Sequence, residues 1–214
     1  MTLPTPLYVI LDHTAARGRE LPALLEAVLA GGCRVIQLRE KTMAMAELYP
    51  LARRLRERCR EAAALFFVND RADLALAVEA DGLHVGQEDL PAASARRVLR
   101  PGMILGVSTH DEPQARQALA DGADYIAVGS IFPTGTKTGF HLVGTDLLRR
   151  LRPSIPVPLV AIGGITEANV GQVMAAGADA AAVISAVCGV PDPAQATARF
   201  LEMIRGRHQV PGRR

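Results

Sequence analysis

Tryptophan is absent from this sequence, and aromatic residues make up only 4% of it. A core must therefore be assembled from Leu, Val, Ile and Ala, the usual filling of α/β folds. Cysteine is scarce too: Cys33, Cys59 and Cys188 stand far apart with no C-x-x-C pair, which argues against a zinc site or a redox dithiol. An odd cysteine count fits a reducing, cytoplasmic setting. Positions 1–6 carry no basic segment ahead of the first apolar run, so no secretory signal is expected. No apolar stretch approaches the ~20 residues of a membrane span. The net charge is only +2 and the arginines are scattered, without the basic stripe that a nucleic-acid partner would leave.

What is present suffices for a sizeable core. Hydrophobic residues make up 49% and charged residues 21% of 214 residues, a normal length for one domain and slightly short for a β/α barrel. Short apolar runs at 7–11, 35–38, 65–68, 83–85, 104–107, 125–128, 159–162 and 182–184 suit strands buried on both faces of a parallel sheet. Amphipathic stretches at 21–30, 45–62, 91–99, 113–120, 146–151, 169–176 and 193–204 separate them, with a short one at 72–78. No linker divides the chain, so a single domain over 1–214 is expected, with 206–214 as a frayed basic end of no assigned role.

A weak repeat marks the entry to alternate strands: Ala80-Asp81-Gly82, Gly122-Ala123-Asp124 and Gly177-Ala178-Asp179, with Gly31-Gly32-Cys33-Arg34 in the same slot. The glycine is expected to close each helix in a left-handed cap. Such units, used about eight times, describe a closed (β/α)8 TIM barrel. The alternative is an open doubly wound sheet. That fold usually brings a Gly-rich dinucleotide loop early, and none follows Leu11.

The residues after each strand carry the chemistry. They are Arg39-Glu40-Lys41 with Gln37 just inside the strand, Asn69-Asp70, Gly86-Gln87-Glu88-Asp89, Ser108-Thr109-His110, the stretch from Gly129 to Lys137, Gly163-Gly164-Ile165-Thr166 and Ile184-Ser185-Ala186. In a parallel barrel all of them collect on one rim, where active sites of this fold sit. Arg39 and Lys41 could be solvated loop charges, but a planar fork and a point charge also suit anion binding. Asp70 and Asp89 could be helix caps. Beside an anion site, however, carboxylates repel the ligand unless a cation intervenes, and two of them with phosphate oxygens and water suit Mg²⁺. The Gly163-Gly164 backbone, with the amides after the eighth strand, suits the phosphate site this fold often builds there. The five histidines show no metal spacing; His84 reads as a structural strand-end residue and His110 as a loop residue without an assigned role.

The ordered set Gln37-Leu38-Arg39-Glu40-Lys41, Asn69-Asp70, His84-Val85-Gly86-Gln87-Glu88-Asp89, Gly106-Val107-Ser108, Pro133-Thr134-Gly135-Thr136-Lys137, Gly163-Gly164-Ile165 and Ile184-Ser185-Ala186 resembles the thiamine-phosphate synthase (thiamine-phosphate pyrophosphorylase) family. The resemblance implies a transferase of thiamine biosynthesis that joins hydroxymethylpyrimidine diphosphate to hydroxyethylthiazole phosphate and releases pyrophosphate. It implies that Gln37, Arg39, Lys41, Asn69, Ser108 and Lys137 serve the pyrimidine diphosphate. Arg39, Lys41, Lys137 and Ser108 would act in catalysis, and Asp70 and Asp89 would hold Mg²⁺. Thr134, Thr136, Gly164, Ile184 and Ser185 would hold the thiazole phosphate. Ser130 departs from the pattern, since many relatives carry Pro there; it removes no proposed ligand.

The implied partners are two small phosphorylated substrates, with no nucleic acid and no membrane; a homo-oligomer is compatible with the sequence and not specified by it. The related thiazole tautomerase, an isomerase on a similar barrel, needs no metal-bound diphosphate, and Asp70, Asp89 and Lys137 together favour the synthase. A catalytically silent phosphate sensor would have lost a charged member of the set, and none is lost. The expected mechanism is electrostatic, with no Ser, Cys or His as a covalent catalyst.

Overall fold

The computed structural model describes residues 3–135 and 141–208. Eight parallel strands close into a barrel in chain order: β1 (Leu7–Asp12), β2 (Val35–Arg39), β3 (Leu65–Asn69), β4 (Gly82–Val85), β5 (Ile104–Thr109), β6 (Tyr125–Val128), β7 (Leu159–Ile162) and β8 (Ala180–Val183), which pairs back to β1. Helices α1 (Leu21–Ala30), α2 (Met45–Glu61), α3 (Ala72–Ala77), α4 (Ala92–Val98), α5 (Glu112–Ala120), α6 (Gly144–Leu151) and α7 (Val170–Ala175) connect successive strands. After β8 come α8 (Ser185–Cys188) and α9 (Pro193–His208).

The (β/α)8 TIM barrel expected from the apolar runs is the fold observed. Three local expectations are corrected. The eighth strand starts at Ala180, two residues earlier than expected, because Ala180 and Ala181 pair with β7 and do not belong to the preceding turn. The short helix α8 has no apolar period of its own and was not foreseen; four residues are too few to show one. Helix α9 continues to His208, so positions 206–208 are helical where a frayed end was expected, and 209–214 lie outside the described residues. Among the described residues no helix is long and apolar enough to cross a membrane, and the three cysteines are buried and unpaired.

Two apolar layers follow from the period-two alternation of the strands. Outward-facing residues such as Val9, Ile36, Leu83 and Ile126 pack beneath the helices. Inward-facing residues, among them Tyr8, Ile10, Val35, Phe67, Tyr125 and Val160, fill the barrel. Three rings, Tyr8, Phe67 and Tyr125, meet there with centroids 5.5–6.0 Å apart. They fit because the register sets two of the rings beside a glycine and the third beside an alanine: Phe67 faces Gly82, Tyr125 faces Gly106 and Tyr8 faces Ala182. A Cβ on Gly106 would lie 2.0 Å from Tyr125 Cζ, and one on Gly82 would lie 2.5 Å from Phe67 Cε1.

Gly82 is therefore a strand residue that makes room for a ring, and not the helix-closing glycine its place in the repeat suggested. The left-handed position of that connection is Glu79, at φ 53°, while Gly32, Gly122 and Gly177 take it in the other three. The aspartates of the repeat have a shared duty at the opposite end from the strand-terminal polar groups. Asp81, Asp124 and Asp179 each accept a hydrogen bond from a neighbouring strand's backbone N–H, on Phe66, Leu105 and Leu159, at 2.7–2.8 Å. Each also pairs with an arginine of the helical layer: Arg56, Arg96 and Arg152. The repeat thus ties helix to sheet at the base and leaves the other rim free for chemistry.

Adding a methyl group at position 106 should force the Tyr125 ring out of place. Gly106→Ala is expected to lose about 3 kcal/mol of stability in urea unfolding. Gly206→Ala, at an exposed helical position with nothing within 4 Å, should be neutral or gain roughly 0.5–1 kcal/mol.

Candidate active site

At the C-terminal ends of the strands a cavity of about 1030 Å³ opens. Every described residue named from the sequence as a ligand lines it: Gln37, Arg39, Lys41, Asn69, Asp70, Asp89, Ser108, Thr134, Gly164, Ile184 and Ser185. Thr136 and Lys137 lie outside the described residues. The strand period explains the convergence. Gln37 and Arg39 alternate on β2 with Ile36 and Leu38, which pack outward, so they point into the barrel mouth.

One side of the cavity is charged. Arg39 donates to Asp12, and Lys41 pairs with Asp70. Glu40, between them, points away and fastens the loop by accepting from the Thr42 and Met43 N–H groups at 2.7 and 3.1 Å. Burial works against ionising Glu40, yet these donors hold its carboxyl below the ordinary value. Asp70 sits in the left-handed region at φ 61°, and its N–H donates to His84 O at 2.8 Å, which ties the end of β3 to β4. Asp89 accepts from Gly86 N–H at 2.8 Å. Neither aspartate caps a helix: α3 and α4 begin at caps Arg71 and Pro91 that make no side-chain cap bond.

The Asp70 and Asp89 carboxyl groups lie close enough to shift each other's ionisation. Burial, and then the neighbouring carboxylate, push Asp70 above the usual range. Asp89 goes the other way: burial opposes it, but bonds from Asp70 and Gly86 N–H and the Lys41 charge hold it down. With one lysine facing two carboxyl groups, the pair still suits a hard cation bound by oxygen. Among the described residues no group of three or more His, Cys, Asp or Glu could hold a metal, so most of the coordination would come from ligand oxygens and water.

The other side is built around a pair of glycines. Gly163 and Gly164 both have positive φ, 99° and 63°. A Cβ on Gly163 would lie 2.6 Å from Ser130 Cα, and one on Gly164 would lie 2.3 Å from Pro133 O, so this turn admits only glycine. Helix α8 starts at Ser185 beside it. Arg17, in the β1–α1 loop, also lines the cavity.

The sequence profile of the thiamine monophosphate synthase family matches residues 7–187. The chain is 51% identical over 199 residues to the thiamine-phosphate synthase of Moorella thermoacetica, covering 92% of this chain and 95% of that protein. It is 47% identical over 208 residues to the thiamine-phosphate synthase of Methanocella arvoryzae, covering 97% and 98% of the two. The thiamine phosphate pyrophosphorylase structure from Pyrococcus furiosus superimposes with a TM-score of 0.87 at 37% identity, covering 94% of this chain and 96% of that one. The chain belongs to the thiamine monophosphate synthase family.

Within this family frame, Ser130 gains a physical account. Its N–H donates to His141 O at 3.1 Å and its carbonyl accepts from Val143 N at 2.9 Å. Proline could not make the first of these bonds.

Several cavity or near-cavity residues carry no assignment from the sequence. Asp12 ends β1 at the same rim, is 4% exposed, and orients Arg39 while accepting from Ala15 N–H at 2.9 Å. Its position after the first strand was the available signal. His110 is fixed at both ends: its ring Nδ1 meets Gly129 O at 2.5 Å, and its N–H donates to Gln114 Oε1 at 2.8 Å. Arg17 had no signal, since nothing local sends an exposed loop arginine toward the cavity. His84 was read as structural. It is buried and stacked on Tyr125, yet it also contacts Ser108 Oγ at 2.8 Å and lines the cavity.

Burial pushes the His84 imidazole from 6.5 down to about 4, with only partial opposition from Asp89. The folded protein thus holds this ring neutral where the unfolded chain protonates it. Stability should fall as pH drops from 6.5 towards about 4, by roughly 3 kcal/mol in total from this group, and be unaffected by it above 6.5. Urea titrations of wild type and His84→Gln between pH 4 and 7.5 check this. The variant should lose that part of the slope, and equal slopes in both proteins would remove His84 as its source.

Proposed function

We infer that this protein joins hydroxymethylpyrimidine diphosphate to hydroxyethylthiazole phosphate, giving thiamine phosphate and pyrophosphate, a step of thiamine biosynthesis. The observation that carries the reading is the union of two unlike anion sites in one cavity. A carboxylate pair with Arg39 and Lys41 stands on one side, and a glycine turn with the start of α8 on the other. A reaction that joins two phosphorylated molecules requires both; an isomerase acting on one of them does not.

Gln37, Asn69 and Ser108 seat the pyrimidine, and Arg39 and Lys41 face its diphosphate. Asp70 and Asp89 would hold magnesium, which would supply positive charge where pyrophosphate departs. Arg39, kept in place by Asp12, adds a fixed charge to the same oxygens without reorganising during the reaction. The carbon–oxygen bond to pyrophosphate breaks, the pyrimidine amino group stabilises the cation left behind, and the thiazole nitrogen supplies the electron pair for the new carbon–nitrogen bond. Thr134, Gly164, Ile184 and Ser185 hold the thiazole phosphate across the cavity, so positioning contributes much of the remaining rate. Thr136 and Lys137, which the family resemblance adds to these sets, belong to the same proposal. No covalent intermediate with Ser, Cys or His is required.

Purified protein incubated with both substrates and Mg²⁺ should yield thiamine phosphate and pyrophosphate in equal amounts, and omission of the metal should abolish turnover. Thiazole isomerisation with neither product would overturn the reading. Asp70→Asn tolerates the left-handed backbone, and Asp89→Asn can keep the bond from Gly86. Each should lower Mg²⁺-dependent turnover roughly 100-fold, at or beyond the range typical of residues that only support metal ligands. Each should also weaken Mg²⁺ binding in the presence of pyrophosphate by calorimetry. Unchanged binding and turnover in both would remove the metal from these residues.

A further inference from the structure

A continuous hydrogen-bonded chain crosses the inside of the barrel. Gln37 Nε2 donates to the Tyr8 hydroxyl at 2.8 Å, and the Tyr8 and Tyr125 hydroxyls lie 3.0 Å apart. The Tyr125 hydroxyl meets His84 Nδ1 at 2.8 Å, and His84 Nε2 meets Ser108 Oγ at 2.8 Å. Its two ends, Gln37 and Ser108, both line the cavity. Of the inner members, Tyr8 and Tyr125 are buried beneath it, and the buried His84 reaches its lining.

Counting hydrogens sets the direction of every bond. An amide nitrogen only donates, so Tyr8 accepts from Gln37. The one hydrogen of Tyr8 then goes to Tyr125, and that of Tyr125 goes to His84 Nδ1. Each phenol carries one hydrogen, and an imidazole that accepts at Nδ1 is the neutral form. A neutral ring that accepts at Nδ1 carries its hydrogen on Nε2 and donates it to Ser108. With Gln37 donating, reversing the phenol-to-imidazole bonds leaves the Tyr8 hydroxyl hydrogen without an acceptor inside the barrel, which is costly. The consequence falls at the two ends. Gln37 presents its carbonyl oxygen to the cavity, and Ser108 presents its hydroxyl hydrogen.

We propose that this chain is a positioning device for the pyrimidine: Tyr8, Tyr125 and His84 fix Gln37 as an acceptor and Ser108 as a donor, so that the two ends read the substrate as one unit. The inference rests on the reading of Gln37 and Ser108 as the pyrimidine seat. An aminopyrimidine offers an amino hydrogen beside a ring nitrogen, which is the complementary pair. His84, Tyr8 and Tyr125 act through the two end residues.

Two measurements test this on the full-length protein. In ¹⁵N spectra of the wild type without substrate, His84 should be a single neutral tautomer with its hydrogen on Nε2; a ring protonated on Nδ1, or on both nitrogens at neutral pH, overturns the proposal. In steady-state assays with Mg²⁺, Tyr125→Phe keeps the ring but cuts the chain. It should raise KM for the pyrimidine diphosphate about tenfold and leave KM for the thiazole phosphate within about twofold. Ser108→Ala should show the same selective loss, and the double variant should lose no more than the worse single variant. Additive losses, near a hundredfold, overturn the coupling. Should Tyr125→Phe fail to fold, the tautomer decides alone. Absence of thiamine phosphate from the wild type would overturn the assigned reaction instead, a result distinct from either failure of the chain.

Discussion

Tyr125 occupies the middle of the barrel because Gly106 on the next strand has no side chain, and much of the site depends on that one accommodation. The ring fills space that Ala127, Ala180 and Ala182 are too small to fill. Its hydroxyl would be costly in such a place without partners, and it has two, Tyr8 and His84. Those partners reach the cavity floor through Gln37 and Ser108. The packing of the core and the chemistry of the floor are thus one arrangement. A barrel filled only with aliphatic residues would be simpler to pack but would leave the amide and hydroxyl above it free to turn.

The charged side of the cavity follows a related logic. Arg39 ends β2 and Lys41 lies just past it, yet each is paired with a carboxylate from a different strand end, Asp12 and Asp70. Pairing holds long, flexible cations in position without burying them fully, and both still line the cavity. The carboxylate pair Asp70 and Asp89 is the counterpart. Two acids that face each other this closely cannot both ionise easily, and one is raised while the other is lowered. The glycine side needs no side-chain charge of its own, because its backbone turns too tightly to admit a Cβ.

Much of this was legible in the sequence. The apolar runs gave the eight strands, all placed within two residues of their observed limits, because buried parallel strands are short and continuously apolar. The polar groups after each run converged because parallel strands end on one rim. The errors have local causes. Gly82 resembled the helix-closing glycines at 32, 122 and 177, yet its role is set by the Phe67 ring on the next strand. Helix α8 is too short to show a period. Asp12 ends a strand as the other rim residues do, but its role follows from Arg39 beside it in space, which no local pattern shows.

The sequence by itself determined the fold class, the rim, and the residue types gathered there, because alternation, strand length and charge are properties of short stretches of chain. The tertiary structure decided which cation pairs with which acid, and how the hydrogen bonds beneath the substrate seat are directed. Tyr8 and Tyr125 are 117 positions apart, and their contact exists only once the barrel closes. A hydroxyl can donate or accept, and an imidazole can carry its hydrogen on either nitrogen; only their neighbours in space remove that freedom.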